Sequence, residues 1–258
     1  MTDLLTASGL HVGYGDDPVV RGVDVTIAQG EITVFVGPNG SGKSTLLKAL
    51  GRHLPPLQGQ VSLGGRNIFT LRPREFARSV AFLPQEPTTP EGVTVREVIA
   101  YGRYPYTGPF AALRPRDHQA IVKAAETTGV SGLLDVPATD ISGGQRQRVW
   151  VAMAVAQETP ILLLDEPTTY LDPAHQLGIL DQVVALKRTG RTIVMVLHDM
   201  THAARFADNV VALDRGRVVA AGPAPEVLTV ELVHEVFGVE CLSVTDPDTG
   251  RVLPVPYR

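Results

Sequence analysis

Cysteine is almost absent from this chain of 258 residues: Cys241 stands alone, so no intrachain disulfide can form and a reducing compartment is expected. Aromatic residues are only 5% of the total. There is no cationic surplus either. Lys and Arg number 23 against 27 Asp and Glu, a net charge of -4, which argues against a basic-surfaced nucleic-acid binder. Long apolar runs are missing: the longest, Val149 to Ala156, is eight residues, far below the ~18 that a membrane span needs. The opening, MTDLLTASGL, has neither the basic start nor the apolar stretch of a signal peptide, so a soluble, cytosolic protein is expected. No repeat of solenoid period and no low-complexity segment stands out.

What is present is core-forming. Apolar residues make up 44% and charged residues 19%, enough to bury a sizeable interior. Three short runs rich in Ile, Val and Leu read as strands buried on both faces: Ile32 to Val36, Ile161 to Leu164 and Thr192 to Leu197. Helix-compatible stretches lie between them, which predicts an α/β core. From Leu10 to Thr26 the alternation of Val19, Val23, Val25 and Ile27 predicts an antiparallel edge. The segment 88–157 is different. Thr94-Val95-Arg96-Glu97 fits a capping box opening a helix that runs to about Tyr104. Further helices are expected from about Arg116 to Thr128 and from near Ser142. The organisation read from this is one domain, with 1–87 and 158–258 as the α/β nucleotide-binding core and 88–157 as an inserted helical subdomain.

Two motifs carry chemistry on their own. Gly37-Pro38-Asn39-Gly40-Ser41-Gly42-Lys43-Ser44-Thr45 sits between the strand ending at Val36 and a helical stretch starting near Leu46. Glycines let such a loop wrap with its N–H groups turned inward, an anion nest at a helix N-terminus. Lys43 would reach the β- and γ-phosphates of a nucleotide, and the Ser44 hydroxyl would ligate Mg²⁺. The second motif is an apolar strand that ends in Asp165-Glu166. Strand C-termini of open parallel sheets are where ligands bind. Asp165 is expected in the Mg²⁺ shell and Glu166 as the group that polarises an attacking water, which favours hydrolysis over transfer to an acceptor.

Further segments carry a resemblance. Gln85 lies in Ala81-Phe82-Leu83-Pro84-Gln85; Ile141-Ser142-Gly143-Gly144-Gln145 comes about twenty residues before the carboxylate strand; Leu171-Asp172 follows Glu166; and His198 ends the strand that starts at Thr192. Across nearly its whole length the chain resembles the nucleotide-binding subunit of ATP-binding-cassette (ABC) transporters, with Walker A, Q-loop, signature, Walker B, D-loop and switch histidine in order. Thr168-Thr169-Tyr170-Leu171-Asp172 with Ala174-His175-Gln176, Gly102-Arg103-Tyr104-Pro105 and Gln145-Arg146-Gln147-Arg148-Val149-Trp150 look like the ferric-siderophore importer ATPases, close to those for vitamin B12 and haem. Ile141 and Pro173 depart slightly from the family pattern.

The resemblance implies the P-loop NTPase fold of an ABC ATPase, with ATP and Mg²⁺ as cofactors. It implies that Gln85 senses Mg²⁺ and water, that His198 contacts the γ-phosphate and that Tyr14 stacks on adenine. Ser142, Gly143, Gly144 and Gln145 would present a helix N-terminus to ATP held by a second copy, with Asp172 near the same junction. The implied partners are a second copy in an ATP-sandwich homodimer, integral membrane permease subunits and, indirectly, a substrate-binding protein, with no nucleic acid. The expected activity is ATP hydrolysis energising import of a ferric siderophore at the cytoplasmic face of the membrane. A cobalamin or haem importer is the alternative, and a soluble non-transport cassette ATPase a more distant one. Tyr101 to Phe110, with Arg103, Tyr104 and Tyr106, is either a docking surface for a membrane subunit or a solvated loop. Asp246-Pro247-Asp248 reads as a turn, His198 and His202 as an unpromising metal pair, and His175 as a surface or packing residue.

Overall fold

The computed structural model describes residues 5–89, 91–108 and 112–258. The chain forms two compact units, residues 1–71 with 192–258 and residues 72–191.

The first unit opens with β1 (Leu5–Tyr14), β2 (Asp17–Thr26), β3 (Ile32–Val36), α1 (Lys43–Leu50), β4 (Gln58–Leu63) and β5 (Arg66–Asn67). The second holds α2 (Pro73–Ala77), β6 (Val80–Leu83), α3 (Val95–Ala100), α4 (Tyr104–Thr107), α5 (Pro115–Thr127), α6 (Gly143–Ala156), β7 (Ile161–Leu164) and α7 (Pro173–Arg188). The chain then returns to the first unit with β8 (Thr192–Val196), α8 (Met200–Phe206), β9 (Asn209–Asp214) and β10 (Arg217–Pro223). It ends with α9 (Ala224–Val227), α10 (Val230–Phe237), β11 (Cys241–Thr245) and β12 (Val252–Pro256).

In the first unit β1 pairs antiparallel with β2 and β4, giving the order β2-β1-β4-β5. The antiparallel region expected from Leu10 therefore begins five residues earlier, at Leu5. Alternation puts Leu10, Val12, Val20, Val23 and Val25 inside and leaves polar neighbours outside. The second sheet runs β10-β9-β3-β8, with β3 parallel to both β8 and β9. All five residues of β3 and all five of β8 are buried, as strands covered on both faces must be. The strand expected to end at Leu197 stops at Val196, and Leu197 follows it into the turn before α8.

In the second unit β6 and β7 pair in parallel, Val80 with Ile161 through to Leu83 with Leu164. The capping box at Thr94 is present: Thr94 N–H donates to Glu97 Oε2 at 2.7 Å, and Glu97 N–H donates to Thr94 Oγ1 at 3.3 Å. The Thr94 N–H, then the Thr94 hydroxyl, which donates to the same Oε2 at 2.9 Å, hold the Glu97 carboxyl below its ordinary value. Against α5 and α6, the helix α3 buries Val95, Val98 and Ile99. The helix expected to reach Tyr104 unbroken tightens to a 3-10 turn at 101–103 before α4.

The Asp246 segment is a turn. Asp246 Oδ1 accepts from the Asp248 N–H at 3.1 Å, and Oδ2 accepts from Thr249 Oγ1 at 2.7 Å. Arg205 Nε lies 3.3 Å from Asp246 Oδ2, tying the β11–β12 hairpin to α8.

Candidate functional site

Each unit carries its own cluster of candidate residues. In the first, the loop after β3 takes left-handed backbone at Gly37 (φ 147°), Gly40 (φ 79°) and Gly42 (φ 100°), which glycine adopts without penalty. At Gly37 there is also no room: a Cβ there would lie 2.1 Å from Leu213 O and 2.7 Å from Ser41 Oγ. The loop closes on itself through Ser41 N–H to Pro38 O at 3.1 Å, and on the β9–β10 turn through Gly216 N–H to Ser41 O at 3.0 Å. Lys43 turns its ammonium back into this ring, donating to Gly37 O at 2.7 Å and Pro38 O at 2.9 Å.

Helix α1 starts immediately after Gly42 with no side-chain cap on its first turn. Its positive dipole end favours an anion at this first turn. The Ser41 hydroxyl is buried with no hydrogen-bond partner. A buried lysine, an orphaned hydroxyl and an uncapped helix start fit the phosphate chain of a nucleotide. Ser44 and Thr45 lie in the first turn of α1. In the same unit Tyr14 ends β1 with 59% of its surface exposed, a ring free to stack. His198 follows β8 and is exposed; Asp199 caps α8, accepting from His202 N–H at 2.9 Å. The His202 ring packs edge-on to Phe206.

The second unit carries the acidic cluster. Asp165 and Glu166 leave β7 both buried, and Asp165 N–H donates to Leu83 O at 2.9 Å. Leu83 and Leu164 pair at the ends of β6 and β7, and the turns just beyond them meet. Gln85 Nε2 donates to Glu166 Oε2 at 2.7 Å. Thr169 Oγ1 donates to the same oxygen at 3.0 Å. Glu166 holds φ 51° and Tyr170 φ 62°, left-handed backbone at two non-glycine residues of one loop. Such geometry costs about 1–2 kcal/mol per residue and persists only where the surroundings over-determine it. Two donors on one oxygen fix the direction of the carboxylate, as a general base needs. Thr169 had no role in the sequence reading, although its motif had been singled out.

Ser142 caps α6 in a reciprocal box: Ser142 N–H donates to Gln145 Oε1 at 2.9 Å, and Gln145 N–H donates to Ser142 Oγ at 3.3 Å. Gly143 and Gly144 form the first turn between them. Asp172 caps α7, accepting from His175 N–H at 3.0 Å and meeting His175 Nδ1 at 2.7 Å. These bonds, the backbone one first, hold the Asp172 carboxyl below its usual range. A groove in this unit is lined by Gln85, Glu86, Gly143, Arg146, Trp150 and Tyr170, with Tyr170 84% exposed. Among the described residues, no three His, Cys, Asp or Glu side chains gather as a metal site.

The stretch offered as a docking surface or a solvated loop is corrected at its centre. Arg103 is 1% exposed. Its Nε donates to Asp117 Oδ1 at 2.9 Å, and its NH1 donates to Ala156 O at 2.6 Å and Glu158 Oε2 at 2.9 Å. Its guanidinium lies 4.2 Å from the Tyr106 ring centre. Burial pushes the Asp117 carboxyl up, but hydrogen bonds from Arg114 and Arg103, with their charges, bring it below its ordinary value. An arginine buried among these partners is a core strut. Tyr104 remains exposed, and Phe110 lies outside the described residues.

Comparison with known proteins follows the same lines. A family model described as ABC transporter matches residues 20–169. The iron(3+)-hydroxamate import ATP-binding protein FhuC of Bacillus subtilis is 45% identical over 98% of this chain and 94% of its own length. The ferric enterobactin transport ATP-binding protein FepC of Escherichia coli is 44% identical over 98% of this chain and 93% of its own. Among solved structures, a transporter described as of the metal-chelate type, in an inward-facing conformation, superposes with a TM-score of 0.84 at 27% identity. That match covers 100% of this chain and 98% of the other.

Proposed function

The chain belongs to the ABC transporter family, and on that premise we propose that it is the ATP-hydrolysing subunit of a ferric-siderophore importer. It would work at the cytoplasmic face of the cell membrane, through separate permease subunits fed by a substrate-binding protein. The observation that carries the reading is the buried Glu166 carboxylate at the end of β7, aimed by Gln85 and Thr169. The relatives that import iron(3+)-hydroxamate and ferric enterobactin support the choice of cargo. No described helix is long and apolar enough to cross a membrane, which fits a subunit that relies on permeases for the passage itself.

Bound MgATP supplies the phosphoanhydride that water cleaves. In the chain, backbone N–H groups of the loop between Asn39 and Thr45 and the Lys43 ammonium would hold the phosphates, and Tyr14 would stack on the base. Ser44, Gln85 and Asp165 would hold the Mg²⁺ ion, which would neutralise phosphate charge. Glu166 takes the proton of the attacking water while His198 keeps the terminal phosphate in register. Ser142 to Gln145 and Asp172 serve the ATP of a second copy, since α6 presents a capped but open N-terminus and this chain has one phosphate loop and one such turn. Closure of the two copies on ATP is driven by contacts that exist only in the closed state.

The test is uptake of radio-iron, offered as a panel of ferric siderophores, in the cell of origin with wild-type or Glu166→Gln protein. Loss of one or a few chelates in the variant is the expected result. Normal entry of every ferric siderophore while MgATP hydrolysis is gone overturns the cargo and points to a cobalamin or haem.

A further inference from the structure

The N-terminal turns of α6 and α7 meet across a single imidazole. Asp172 grips His175 twice: Oδ1 accepts from its backbone N–H at 3.0 Å and Oδ2 lies 2.7 Å from ring Nδ1. This fixes the ring on the side of α7. The opposite edge of the ring lies against Gly144. A Cβ at Gly144 would fall 2.4 Å from His175 Cδ2 and 2.9 Å from Cγ and Nε2, inside any real contact distance. Gly144 does not take a left-handed φ, so the space taken by His175 is what demands glycine there. Arg148, one turn further along α6, lines the same cavity as His175 and donates Nε to Gly144 O at 3.5 Å.

We propose that His175 is a positioning residue: held by Asp172 and seated on Gly144, it sets the direction of the open N–H groups at the start of α6. The inference rests on the reading above, in which that turn receives the terminal phosphate of ATP bound by a second copy. His175 touches no reacting atom and acts through Gly144. Two positive helix ends converge here. The charged groups that face the ring are Asp172 on α7 and Arg148 on α6.

The contact is tested first in the free protein. The Gly144 amide resonance is expected to shift in His175→Ala and to stay near its wild-type position in His175→Asn. Gly144→Ala is expected to lower the unfolding temperature in the wild-type background and to do so much less in His175→Ala, where the clash is gone. With MgATP, His175→Ala is expected to lose about tenfold in kcat with KM within about twofold. His175→Asn keeps a donor at the Nδ1 position and is expected to recover most of the rate. A Gly144 amide indifferent to the ring, with Gly144→Ala equally damaging in both backgrounds, overturns the proposal. Absent MgATP turnover in wild-type protein would instead overturn the parent reading, while the resonance and stability measurements still decide the contact.

Discussion

Gln85 Nε2 donates to Glu166 Oε2 at 2.7 Å, and the bond follows from strand register. Leu83 and Leu164 pair at the ends of β6 and β7, and the turns just beyond bring the Gln85 amide onto the Glu166 carboxylate. Glu166 is aimed by backbone pairing before any ligand arrives. Changing it to glutamine keeps the shape and removes the base. The expected loss in MgATP turnover is ~10²–10⁴-fold, with nucleotide affinity retained. Gln85→Ala leaves Thr169 to hold the carboxylate and is expected to cost less. Steady-state kinetics beside a fluorescent-nucleotide titration check both.

The phosphate loop predicts a contrast between two glycines. At Gly37 a methyl group meets Leu213 O, a backbone atom of β9 that cannot move without disturbing the sheet. Gly37→Ala is expected to abolish nucleotide binding and to lower stability by about 1–3 kcal/mol or more. Gly40 has open space around its Cα and pays only its left-handed backbone, about 1–2 kcal/mol. Thermal unfolding of the two variants, with nucleotide titration, separates clash from strain.

Arg103 sits 1% exposed among Asp117, Glu158 and Ala156 O. Arg103→Met strands the buried Asp117 carboxylate, and breaking such a pair costs about 3–5 kcal/mol. Arg103→Met with Asp117→Asn removes both charges and is expected to lose less than Arg103→Met alone. Urea unfolding of the two proteins measures the coupling.

Thr249 Oγ1, then the Asp248 N–H, with the Arg205 charge, hold the Asp246 carboxyl below its ordinary value. A carboxyl depressed in the folded state contributes stability above its unfolded pKa of about 3.9, and that contribution is lost as pH falls through the folded value. Wild-type protein is therefore expected to lose stability more steeply than Asp246→Asn below about pH 4. Unfolding midpoints measured from pH 6 downward, in steps of about half a unit, read the difference.

Much of the fold was legible because period and punctuation carried it. The all-buried strands at Ile32 and Ile161, the capping box at Thr94 and the glycine loop before α1 are local signals, and each appears where the residues put it. Long-range pairings were harder to read. Arg103 looked like a surface cation because nothing nearby in sequence neutralises it; its partners lie 14, 53 and 55 residues away. Thr169 on Glu166 and His175 on Gly144 depend on side-chain directions that no periodicity encodes. The left-handed backbone of Glu166 has no sequence signal at all, since glutamate is a poor predictor of positive φ.

The central claim is an ATPase whose site is completed by a second copy of the chain, with Glu166 as the group that lets ATP turn over. The most direct measurement is the mass in solution of Glu166→Gln protein, by light scattering, with and without saturating MgATP. A dimer that forms with MgATP, holds one ATP per chain and disperses when the nucleotide is removed is the predicted result. A protein that stays monomeric while its nucleotide sites are filled contradicts the account.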